Sequence, residues 1–81
     1  MHYYFDIDDG TTFVEDEVGV ELTDLDAALR EAAVTATSIA RDLLSADGDV
    51  VITVRDGDDL VGEARISRRV IRYGSPEIGG A

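Results

Sequence analysis

The sequence predicts a two-layer α+β domain: an antiparallel sheet of two hairpins, with one amphipathic helix across one face, in the order β-β-α-β-β. Three observations carry this reading. Two stretches alternate apolar and polar side chains around an Asp-Gly turn, one at each end of the chain. Between them, residues 24–45 repeat apolar side chains at three- and four-residue spacing. And 81 residues leave room for one small domain and no more.

In the first strand Tyr3, Phe5 and Ile7 share one face, while Tyr4, Asp6 and Asp8 share the other, the solvated one. Asp9-Gly10 is a hairpin signal, because glycine adopts the positive φ such turns need. A second strand follows over residues 11–14. Whether Phe13 or Val14 faces inward depends on loop length, since one residue of slippage swaps the faces. Glu15-Asp16-Glu17 ends that strand in a charged turn, and Gly19 allows a further bend before Val20-Glu21-Leu22.

The helix over residues 24–45 is capped by Thr23 or Asp24, and Asp24 and Asp26 suit the positive end of its dipole. Leu25, Ala28, Leu29, Ala32, Ala36, Ile39, Ala40 and Leu43 form one apolar stripe. Its alanine-rich middle allows close approach to a sheet. Asp26 and Arg30 have the spacing of a flanking ion pair. Gly48 ends the helix.

The third strand sets Val50, Ile52 and Val54 on one face. The turn at residues 56–59 leads to the fourth strand, residues 60–67. Pairing Val54 with Leu60 keeps Glu63 off the core face, so a three- or five-residue turn is expected. Beyond Ser67 the alternation no longer places Val70, Ile71 and Tyr73. The domain is expected to span residues 1–73, with a loose tail over residues 74–81. A core this small is modest, and loss of Phe5 or Ile52 is expected to cost about 2–5 kcal/mol.

Composition narrows the function. Hydrophobic residues at 44% and charged residues at 31% fit a folded soluble chain. No apolar run approaches membrane-helix length and no signal-peptide pattern opens the chain. The absence of cysteine excludes disulfides, thiol catalysis and cysteine-based metal sites. Eighteen acids against seven arginines give a net charge of −11, which opposes non-specific binding to nucleic acid or anionic membrane. The balance is uneven. Residues 1–49 hold thirteen acids and two arginines, whereas residues 50–81 hold five of each. Arg65, Arg68, Arg69, Val70, Ile71, Arg72 and Tyr73 together form the candidate interaction face. Its arginines either neutralise the acidic half across the fold or dock an acidic partner or a nucleic-acid backbone.

A family resemblance rests on particular stretches: Tyr3-Tyr4-Phe5-Asp6, the Asp9-Gly10 turn, Asp16-Glu17-Val18-Gly19-Val20-Glu21-Leu22, Asp24-Leu25-Asp26-Ala27-Ala28, and Ile52-Thr53-Val54-Arg55-Asp56. Over residues 3–67 these resemble a family of short bacterial proteins that constitutes a domain of unknown function. Val18 stands where that family often has an acid, and Thr23 where it often has proline. The resemblance implies the fold and a bacterial cytoplasmic setting, and it supplies no catalytic residues. The layout is also similar to that of HicB-type antitoxin domains.

Motifs for chemistry are weak. Residues 6–17 share features with a calcium loop, but Gly10 is fifth and Thr11 sixth, where an oxygen ligand and a glycine belong. The turn at residues 56–59 fails likewise at Leu60. His2 is the only histidine, at a terminus expected to fray, with no partner at a recognisable spacing. No phosphate-cradling glycine pattern occurs. The sequence therefore points to a non-enzymatic domain without metal or cofactor. Its expected partner is a protein, the candidate being a second copy of itself. A regulator contacting nucleic acid or a basic protein is the alternative.

Overall fold

The computed structural model describes residues 1–42, 47–71 and 73–74. It shows the α+β architecture, with strands on either side of one helix. The elements are β1 (His2–Asp8), β2 (Phe13–Val14), β3 (Val20–Glu21), α1 (Leu25–Asp42), β4 (Gly48–Asp56) and β5 (Asp59–Arg68). The antiparallel sheet runs β2-β1-β4-β5, and β3 also pairs with β1.

The segment after the first turn is one strand with an interruption. It pairs with β1 at Ile7↔Val14 and Asp8↔Phe13, then again at Tyr3↔Val20 and His2↔Glu21. Five residues, 15–19, lie opposite the three β1 residues between those pairs, so part of the segment loops out. The register settles the facing left open by the sequence: Val14 shares a face with Ile7. The first turn is held by side chains. Asp8 Oδ1 accepts from Gly10 N–H, and Asp9 Oδ1 accepts from Thr11 and Thr12 N–H.

Asp24 caps α1, its Oδ1 accepting from Ala27 N–H at 2.9 Å. The expected stripe is the buried one: Ala28, Ala32, Ala36 and Ala40 are buried, with Leu25, Leu29 and Ile39 partly so. The helix is described to Asp42; its expected end at residue 45, with Leu43, lies outside the described residues. Gly48, expected as the helix stop, opens β4 instead. Among the described residues no ion pair joins Asp26 to Arg30. Both side chains are exposed, where such a pair gains little over solvation.

The helix packs about equally on β4 and β5. The core is its alanine stripe against Val50, Ile52, Val54 and Tyr3. Phe5, expected in the core, is only half-buried, because the helix is displaced from β1 toward the other two strands.

The β4–β5 connection differs from expectation. Asp56 pairs with Asp59, so the turn is two residues, with positive φ at Gly57 alone, as in a type II′ turn. A β-bulge then leaves Val61 unpaired between Arg55↔Leu60 and Val54↔Gly62. That extra residue restores the face parity an even turn would lose, so Glu63 still points away from the core. Ile52 consequently pairs with Ala64 and Val50 with Ile66, and Leu60 is exposed. Gly62 matters here: a Cβ at this position would lie 2.6 Å from Leu29 Cδ2. Residues 75–81, most of the expected tail, lie outside the described residues.

Candidate interaction face

The end of β5 brings four of the expected residues together. Arg68 pairs with Gly48 at the strand end, and the chain continues through Arg69, Val70 and Ile71. With Ser67 on the same strand and Asp47, Gly48 and Asp49 at the start of β4, these line an open hollow of about 640 Å³. Val70 N–H donates to Asp47 Oδ1 at 2.8 Å, which anchors the chain just past the strand. The side chains of Val70 and Ile71 remain 66% and 56% exposed, and Tyr73 is 86% exposed. Arg69 is exposed as well.

Arg65 lies apart from that hollow, on the sheet face away from the helix. Its Nε donates to Glu63 Oε2 and its Nη1 to Asp49 Oδ2, each at 3.2 Å. Arg72 lies outside the described residues. The expected face therefore divides into a terminal cluster and a cross-strand charge network on Arg65 that adjoins it at Asp49.

Sequence reasoning missed the best-organised polar cluster. Asp6 sits on the expected solvated face, yet it is 6% exposed. Arg55 clamps it bidentately, Nε to Oδ2 at 2.6 Å and Nη2 to Oδ1 at 3.0 Å. Arg55 also donates to the carbonyls of Gly57 and Asp16, and the Tyr4 ring packs 5.0 Å from its guanidinium. Asp16 closes the network from the looped-out segment. Its N–H donates to Asp6 Oδ1, while its Oδ2 accepts from Phe5 N–H, filling the gap in the ladder between β2 and β3. Its Oδ1 accepts from Val18 and Gly19 N–H. The available signal was Arg55 itself, a long cation at a non-core position of a central strand.

The electrostatics follow the contacts. The Arg55 bonds hold the Asp6 carboxyl below its ordinary value, despite burial. Burial pushes the Asp16 carboxyl up, but the N–H donors of Gly19, Phe5 and Val18 together outweigh it and leave it low. His2, expected to fray, is held in β1. One ring nitrogen is 2.9 Å from the Val18 carbonyl and the other 3.3 Å from Glu21 Oε1. The Val18 carbonyl first, then Glu21, raises its pKa above 6.5. Gly19 permits this: at φ +73° a Cβ would meet His2 Nε2 at 2.6 Å and the Tyr3 carbonyl at 2.9 Å.

Among the described residues, no three His, Cys, Asp or Glu side chains gather as a metal site would require, and no helix is long and apolar enough to cross a membrane. No curated protein and no solved structure matches the chain. A family match covers residues 2–67, spanning the strands, the helix and the network just described. The chain belongs to the family described as a domain of unknown function (DUF6894).

Proposed function

We propose that this chain is a non-enzymatic protein-interaction module, without metal or cofactor, whose contact surface is the terminal cluster of Arg68, Arg69, Val70, Ile71 and Tyr73, and whose first candidate partner is itself. A bacterial cytoplasmic setting belongs to the same reading. One observation carries it: Val70 and Ile71 stand exposed beside arginines on backbone that Asp47 anchors, just where the sheet ends. Apolar side chains held in place and ringed by charge have the character of an interface, where an apolar centre is enclosed by a polar rim.

The test is the full-length double variant Val70→Asp/Ile71→Asp, compared with wild type by analytical ultracentrifugation at tens of micromolar. Both side chains are exposed, so the fold is expected to persist by circular dichroism. Wild type is expected to sediment as a dimer and the variant as a monomer. A monomeric wild type that also captures no protein from its host would remove the reading.

The second reading, a regulator that contacts nucleic acid, draws on Tyr73, which is exposed, follows Arg68, Arg69 and Arg72 in the sequence, and is available for base stacking. The net charge of −11 disfavours it. A gel shift at low salt that collapses steeply as salt is added would establish it.

A further inference from the structure

The outer edge of β5 is the longest unpaired strand edge among the described residues: it ends the sheet, and only β4 pairs with it. The opposite edge of the sheet is broken into the two-residue pieces β2 and β3. A long edge presents a row of free N–H and C=O groups that another strand can join.

The side chains on this edge select the strand that fits. Glu63, Arg65 and Ser67 share the face away from the helix, while Gly62, Ala64 and Ile66 share the face toward it. Consider a second copy of β5 laid antiparallel along this edge about a twofold axis normal to the sheet. An axis at Ala64 sets Glu63 of each chain opposite Arg65 of the other, Ala64 opposite Ala64, and Gly62 opposite Ile66. Moving the axis one residue toward the turn sets Glu63 against Glu63; moving it one residue the other way sets Arg65 against Arg65. Opposite charges directly across an antiparallel pair stabilise it and like charges destabilise it, so the alternation of this one strand specifies its own register.

We infer that β5 pairs with β5 of a second copy in the register centred on Ala64, joining two sheets into one. This rests on the self-association reading above and adds to its terminal cluster a strand edge and a register through which the two copies meet.

Two further features agree with the pairing. In the single chain Arg65 already contacts Glu63, so the second copy completes a ring of four alternating charges. The bulge at Val61 ends the straight edge on the turn side, and the Ala64 register keeps its central pairs, Gly62 through Ile66, within the regular segment beyond it. The same axis places both helices on one face. Strands lie about 4.8 Å apart, and α1 rides over both β4 and β5. The two helices therefore run side by side roughly 10 Å apart, close to the usual packing distance. Leu29 meets Gly62 on the β5 flank of α1. One and two turns on, Ala33 and Thr37 continue that flank as small side chains suited to close helix contact.

The chain contains no cysteine, so single cysteines report register without background. Full-length Glu63→Cys and Arg65→Cys chains are mixed in equal amounts and oxidised mildly. The expected product is the 63–65 heterodimer, in excess over either homodimer. Glu63→Arg alone is expected to weaken association about tenfold, and adding Arg65→Glu to the same chain is expected to restore most of it. Circular dichroism on each variant separates lost pairing from lost fold. Cross-linked 63–63 or 65–65 homodimers as the main product would overturn the register. An absence of any cross-link between the cysteine variants, when wild type sediments as a dimer, would overturn the edge while sparing the terminal cluster. Cross-linking that survives Val70→Asp/Ile71→Asp would support the edge and remove the terminal cluster from the contact.

Discussion

Replacing Arg55 by alanine would leave the Asp6 carboxylate buried with Asp16 N–H as its one remaining donor in this network. Removing one member of a buried ion pair costs about 3–5 kcal/mol, a large share of a small domain's stability. Urea denaturation of Arg55→Ala is expected to show that loss. Arg55→Lys is expected to recover little, because lysine lacks the fork that grips both carboxylate oxygens. The acid limb follows from the same contacts. The Asp6 pKa is depressed, so its contribution is present above the unfolded value of about 3.8 and is lost as pH falls through the folded value. Stability of Asp6→Asn, followed by urea titration from pH 5 downward, is therefore expected to fall less steeply than that of wild type. His2 has the opposite sign. Its pKa is raised, so its contribution is present below 6.5 and is lost as pH rises through the folded value. A proton NMR titration of the single imidazole is expected to give a midpoint above 6.5. Alternation in the sequence placed Asp6 on the correct face. It could not show what covers that face, because the cover is a looped-out segment and the partner lies 49 positions away.

At the scale of elements, the helix–sheet contact depends on small residues on both sides. Gly62→Val would drive a branched side chain into Leu29 and is expected to cost about 1–3 kcal/mol by urea denaturation. Leu29→Ala in the same chain is expected to recover part of that cost, giving a favourable coupling in a double-mutant cycle. The alanine stripe was legible because helical spacing states directly which residues share a face. The β4–β5 turn was less so. Keeping Glu63 outward fixes only the parity of the connection, and a two-residue turn with one bulged residue meets that condition as well as an odd turn does. Burial patterns constrain the sum of turn and bulge, not its division between them.

For the molecule as a whole, the net charge of −11 implies self-repulsion in the folded state that added salt relieves. The melting temperature is expected to rise between low salt and half-molar sodium chloride, as read by circular dichroism. A flat or falling curve would show that the cross-strand pairs already balance the acidic half. Strand order also sets a schedule for folding. The first strand made, β1, lies inside the sheet between the last-made part of its own hairpin and β4. Its β4 edge has no partner until residues 51–55 have left the ribosome, on the order of a few seconds later at typical synthesis rates. The helix and the β4–β5 hairpin, by contrast, close through contacts near in sequence. The clamp of Arg55 on Asp6 is thus a late event. Arg55→Ala is expected to speed unfolding while leaving the folding rate nearly unchanged, so the network acts chiefly as a brake on opening.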